Sequence, residues 1–177
     1  QWGKVNIHEF QVRGQTFQNL ILNLPCLNKA SKREPPPILI GAHYDTVPGT
    51  PGADDNATGI SVLLELAKAF TSQPAKHPIQ LVAFDLEEYG FTGKDGIAVG
   101  SGASAYADLL RQQQQPLRLM ISLEMLGYSD PTPGSQRYPS PLERFYPNRG
   151  DFIALIGNLP VIPDLINLSQ NMRQVGV

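Results

Sequence analysis

Short apolar runs that each end in a histidine or a carboxylate constrain this chain more than any other feature. ILIGA (residues 38–42) leads into His43 and Asp45, IQLVAF (Ile79–Phe84) into Asp85, Glu87 and Glu88, and LRLMISL (residues 117–123) into Glu124. The first is a short continuous apolar run, the mark of a strand buried on both faces, and the other two read as further buried runs. Between the first two, Ile60, Leu63, Leu64, Ala67 and Phe70 fall on one face of a helix expected over residues 58–70. A second helix is expected over residues 103–113 and a third over 163–174, with a fourth buried run, FIALI, at residues 152–156. Strands alternating with helices imply right-handed crossovers and a mostly parallel sheet. The opening reads differently. Residues 5–12 and 16–24 flank Gly14 with roughly alternating apolar positions, so they are expected to form an antiparallel hairpin at the sheet edge.

Composition removes several functional classes. The 177 residues carry 14 Lys and Arg against 16 Asp and Glu, a net charge of −2 without the basic excess that a nucleic-acid footprint requires. With 41% hydrophobic and 17% charged residues, the chain is too apolar and too weakly charged to be disordered. No apolar run reaches the roughly 18 residues needed to span a membrane. Cys26 is the single cysteine, so neither an intrachain disulfide nor a cysteine-based zinc site is available. The stretch NKASKREPPP (residues 28–37) reads as a solvated loop despite Lys29, Lys32 and Arg33, and the four glutamines from Gln112 as a solvated helix end. Length and pattern together predict a single domain over residues 1–177.

In an open α/β sheet, functional groups collect at the carboxyl ends of the parallel strands. Three such ends here offer His43, Glu87, Glu88 and Glu124 to one crevice, and the loop after the first adds Asp54 and Asp55. Taken singly these residues are ordinary. Asp54-Asp55-Asn56 suits a helix N-cap, and Glu87-Glu88 suits a solvated turn. Taken together they make an acidic pocket with one imidazole, and like charges packed so closely need a cation. Histidine with carboxylates is a zinc ligand set, and two zincs roughly 3.5–4 Å apart need a bridging carboxylate. Asp45, two residues beyond His43 and on the same side of a strand, is the expected acceptor that sets the ring tautomer.

The stretches GAHYDTVPGTPGADDNATG (residues 41–59), FDLEEYGFTG (84–93), SLEMLGY (122–128) and DFIALIGN (151–158) resemble the co-catalytic di-zinc aminopeptidase family. That family also includes the glutaminyl cyclases and zinc carboxypeptidase relatives. The resemblance implies a three-layer αβα sandwich, incomplete at its C-terminal end. It implies that His43 binds one metal, Asp55 bridges both, Glu88 binds the second, and Glu124 completes the first at a position where many relatives carry Asp. Glu87 would be the general base, and a cis peptide is expected at Asp55–Asn56. The activity implied is hydrolysis of N-terminal peptide bonds in peptide or small aminoacyl substrates, in a secreted or periplasmic setting. The alternatives are a glutaminyl cyclase-like acyltransferase and a non-catalytic peptidase-like domain.

The family supplies one further ligand, a histidine beyond the segment of Glu124. This chain has only His8, in the opening hairpin, and His77, before a strand at its amino end. Neither is placed to serve, so the second metal is expected to have Asp55 and Glu88 without an imidazole. The chain therefore reads as a family catalytic domain without its leading helix and final portion. It is expected to bind one zinc firmly, to be weakly active alone, and to offer an exposed sheet edge to a second copy.

Overall fold

Five strands, β1 (Val5–Val12), β2 (Gln15–Leu24), β3 (Ile38–His43), β4 (Ile79–Phe84) and β5 (Leu119–Ser122), form one sheet in the order β1-β2-β4-β3-β5. In this computed structural model residues 2–27, 34–88 and 101–176 are described. They fall into two units, Gln1–Gly127 and Tyr128–Val177. The sheet belongs to the first. Its β1–β2 hairpin and the β2–β4 pair are antiparallel, whereas β4, β3 and β5 run parallel. The mixed sheet with an antiparallel edge hairpin is the expected one.

Helix α1 (Ala57–Ser72) and helix α2 (Gly102–Gln112) cover opposite faces, giving three layers. Strand pleating divides the apolar residues between them. Ile40, Ala42, Ile79 and Leu81 point to α1 and pack on Leu63 and Ala67, while Leu39, Val82 and Phe84 point to α2 and pack on Tyr106 and Leu110. Each buried Leu, Ile, Val or Phe among them is worth about 1.5–3 kcal/mol. On α1, Leu64 is half exposed and Leu66 packs against the sheet cluster instead. The glutamine run ends α2 as expected, with Gln114 at φ 52° just past its last turn.

Strand β5 is shorter than its apolar run, and its residues alternate between half-buried and exposed. Among the described residues it lies at the edge, paired with β3 alone, so the burial expected of that run is not realised. The second unit contains an isolated bridge between Asp130 and Gly150 and helix α3 (Ile162–Gln174). FIALI forms no strand there. Phe152, Ile153 and Ile156 are exposed, and an apolar run becomes a strand only where a neighbouring strand pairs with it. Residues 28–33 of the expected polar loop, and residues 89–93 of the second family-like stretch, lie outside the described residues. No helix among the described residues is long and apolar enough to cross a membrane.

One buried amide joins the hairpin to the functional end of the sheet. Asn19 on β2 is 0% exposed; its Oδ1 accepts from the Asp85 N–H (3.1 Å) and its Nδ2 donates to the Gly102 carbonyl (2.8 Å). A side chain at Gly102 would overlap this carboxamide, so glycine is required at the start of α2. His8 Nδ1 also faces Asn19 Nδ2 at 3.1 Å, and burial lowers the His8 pKa, which keeps that ring nitrogen an acceptor. We expect Asn19→Ala to cost about 2–4 kcal/mol, because it strands a buried donor and a buried acceptor. Urea denaturation in chelator measures this, and a loss under about 0.5 kcal/mol would show that the network does not hold the unit together.

Candidate metal centre

Strand register brings the three sequence-predicted ends level. His43, the last residue of β3, pairs with Phe84, the last of β4. Ser122 pairs with Gly41, so Glu124, two residues further on, arrives beside His43. The loop between β3 and α1 returns Asp55 to the same place, with the Asp55–Asn56 peptide in the expected cis form. His43, Asp55 and Glu124 each offer one ligand atom, all within 4.8 Å of one another.

The orientation of the imidazole decides what this cluster can do. His43 is 2% exposed, and its Nδ1 lies 3.1 Å from the Asp45 backbone carbonyl. A carbonyl only accepts, so in the neutral ring Nδ1 carries the proton and Nε2 carries a lone pair. That lone pair faces Asp55 Oδ1 at 3.0 Å and Glu124 Oε1 at 3.4 Å. The contact with Asp55 is close without being a hydrogen bond. Although the Asp55 side chain is 40% exposed, its Oδ1 is buried and has no hydrogen-bond partner. Three electron-pair donors thus converge, one of them orphaned. The donor set fits a small divalent cation: ligand atoms about 2.0–2.1 Å from a tetrahedral zinc stand about 3.3 Å apart.

Charge at the site has the same cause. Burial lowers the His43 pKa, but the charges of Glu87 and Glu124 more than offset it, and the net shift is upward. Burial raises Glu87, opposed by His43 and reinforced by Glu124, Asp45 and Asp55. Burial also raises Glu88 and Glu124, with Asp55 adding to both. Without a metal, His43, Glu87, Glu88 and Glu124 hold protons to higher pH than they would alone.

Glu87 and Glu88 follow β4 in a turn suspended from Asp45. The Asp45 carboxylate accepts the Glu87 N–H at 3.0 Å and the Glu88 N–H at 2.9 Å. Here the structure corrects the sequence expectation for Asp45. Its carbonyl, not its carboxylate (3.6 Å from His43 Nδ1), is the acceptor that sets the ring, and the carboxylate holds the acidic turn. Among the described residues Glu88 does not join the three-membered cluster, although of the neighbouring charges Asp55 acts on it most strongly. His8 and His77 are engaged elsewhere, His77 at 2.9 Å from the Pro36 carbonyl. Two non-glycine residues next to the site have left-handed backbones, Leu86 (φ 60°) before Glu87 and Met125 (φ 46°) after Glu124. Such conformations cost of order 1–3 kcal/mol and persist only where their surroundings enforce them.

Sequence reasoning placed Asn56 in a helix N-cap and in the expected cis peptide, with no contact to the ligand positions. The structure gives it a further role beside Glu124, and gives Asp54 and Thr58 a grip on the backbone that follows. Asp54 Oδ1 accepts from the Gly127 N–H (2.8 Å) and Thr58 Oγ1 from the Leu126 N–H (3.0 Å).

Comparison with known proteins agrees with the geometry. The chain is 39% identical over 165 residues to YfbL of Escherichia coli (strain K12), covering 88% of this chain and 47% of that protein. It is 35% identical over 117 residues to aminopeptidase YwaD of Bacillus subtilis (strain 168), covering 65% of this chain and 23% of that protein. Among solved structures, BSAP, a zinc aminopeptidase from Bacillus subtilis, matches 70% of this chain and 28% of its own, with TM-score 0.53 and 31% identity. The chain thus spans less than half the length of these relatives. A family sequence model matches residues 19–150, from the hairpin through all three strand ends, and the chain belongs to peptidase family M28.

Proposed function

We propose that this chain carries the metal-binding and proton-transfer groups of a zinc aminopeptidase acting on the N-terminal bond of peptides. The observation that carries the reading is the convergence of His43 Nε2, Asp55 Oδ1 and Glu124 Oε1, with an orphaned carboxylate oxygen among them. The family match supports hydrolysis, and the names of YwaD and BSAP supply aminopeptidase and zinc. The match also runs across residue 127, which favours one catalytic domain over residues 1–177.

His43, Asp55 and Glu124 would hold one zinc, and Asp55 with Glu88 would contribute to a second. Because Glu88 stands outside the three-membered cluster and no second histidine joins His43 there, one firm site is the reading for this chain. Zinc, when bound, supplies Lewis acidity to a carbonyl and acidifies water. The chain's own residues do the rest. Glu87, adjacent to a ligand position and held by its backbone to Asp45, takes a proton from the attacking water and returns it to the departing amine nitrogen. Burial and neighbouring carboxylates raise its pKa toward neutrality, which suits a group that must both accept and release that proton. The Asp45 carbonyl keeps His43 in the tautomer that leaves Nε2 available.

Isothermal titration of the chelator-treated chain is expected to show one tight zinc. Two tight zincs with rapid turnover of an aminoacyl anilide would contradict the one-site reading. Glu87→Gln is expected to lower the zinc-dependent kcat by about 100-fold or more while leaving zinc affinity nearly unchanged; parallel loss of both would make Glu87 a ligand instead. The pH response follows from the upward shifts. Raised His43, Glu87, Glu88 and Glu124 stabilise the metal-free fold below their unfolded values, and this contribution is lost as pH rises through the raised ones. Zinc must displace those protons, so the zinc-induced rise in Tm should be larger at about pH 7.5 than at about pH 5.5. Thermal melts with zinc and with chelator test this, and an increment independent of pH would remove the ionisable cluster as the binding site.

A further inference from the structure

Asn56 is 1% exposed, and its partners fix which way its amide points. Oδ1 accepts from the Gly59 N–H (3.0 Å), capping α1. Nδ2 is 2.8 Å from the Leu123 carbonyl and 3.2 Å from Glu124 Oε2. A backbone N–H can only donate and a carbonyl can only accept, so the reversed amide is excluded. The two Nδ2 hydrogens therefore meet two acceptors, and one of them is the Glu124 oxygen that does not face His43. The other oxygen, Oε1, lies 3.4 Å from His43 Nε2.

We propose that Asn56 is a positioning residue for the metal centre: it occupies Glu124 Oε2, so that Glu124 presents Oε1 alone to the ion. The inference rests on the metal-centre reading above and adds a denticity to it. A glutamate is long, and an unrestrained carboxylate can swing to offer both oxygens, the mode that larger oxygen-seeking cations such as calcium use. With one oxygen tied to an amide, Glu124 is confined to the single-oxygen contact that a small four-coordinate ion takes. The neighbouring contacts keep the carboxylate within reach of that amide. Thr58 Oγ1 and Asp54 Oδ1 hold the N–H groups of Leu126 and Gly127, on the far side of the strained Met125. The cap that starts α1 and the tether on Glu124 are thus opposite ends of one carboxamide.

The test is a double-mutant cycle read by zinc affinity through chelator competition, using the whole chain. Asn56→Ser keeps an oxygen to cap α1 but cannot reach Glu124 with a donor. Asn56→Asp keeps the shape and the cap and turns the donor into a repelling oxygen. Urea denaturation in chelator establishes that each variant is folded before its affinity is compared. Either variant should weaken zinc binding by about 10–100-fold in the native background, Asp more than Ser, and by less than about 3-fold when Glu124→Ala is already present. Equal losses in both backgrounds would make Asn56 a structural cap only, and unchanged affinity in a folded variant would likewise overturn the proposal. A native chain that takes up no zinc would overturn the metal centre itself, and this inference with it.

Discussion

Two electron-pair donors cannot face each other across about 3 Å in a buried site without something positive between them. The His43 ring, turned by the Asp45 carbonyl, points an unprotonated nitrogen at Asp55 and Glu124. Either a proton or a metal ion must sit there, and the two compete for the same volume. The upward pKa shifts around the site reflect that competition with the proton as winner. A divalent ion reverses the balance, since it satisfies all three donors while a proton on Nε2 can satisfy only one of them fully. Everything else at this end of the sheet keeps those donors from relaxing apart.

The restraints are hydrogen bonds made to the backbone by two further carboxylates, Asp45 and Asp54, and by the neutral Asn19, Asn56 and Thr58. Asp45 divides its work, carbonyl to the imidazole and carboxylate to the amides of the acidic turn. Asn19 pins the residue that precedes this turn, so the antiparallel hairpin, far from the ligands in sequence, bears on where Glu87 stands. Asn56, Thr58 and Asp54 secure the stretch after β5. Left-handed backbones at Leu86 and Met125 mark the two places where this network bends the chain against its preference.

Most of this framework was legible in the sequence because burial leaves a simple trace. The runs that became β3 and β4 are apolar but for Gln80, in keeping with strands covered by helices on both sides, and α1 shows its packed stripe at helical spacing. The carboxyl ends of those strands pointed to His43, Glu87 and Glu88, and the end of the next run to Glu124. What could not be read depended on partners rather than on residue type. FIALI is as apolar as the buried strands but pairs with nothing in its own unit, and the run that ends in β5 is half exposed because it lies at an edge. The duty of the Asp45 carboxylate, and the second duty of Asn56, are hydrogen bonds to residues some 40 to 70 positions away. A linear pattern contains no such information.

The three positions that present His43, Glu124 and the Glu87–Glu88 turn sit on adjacent parallel strands, β5, β3 and β4, in unbroken register. Neighbouring strands keep a repeat of about 4.8 Å, set by the peptide hydrogen bond. The backbone lattice therefore acts as a ruler for the spacing of His43, Glu124 and the Glu87–Glu88 turn, whatever side chains decorate its rim. Loops around such a ruler can lengthen, shorten or be exchanged, altering which molecules are admitted, without recalibrating the chemistry at its centre.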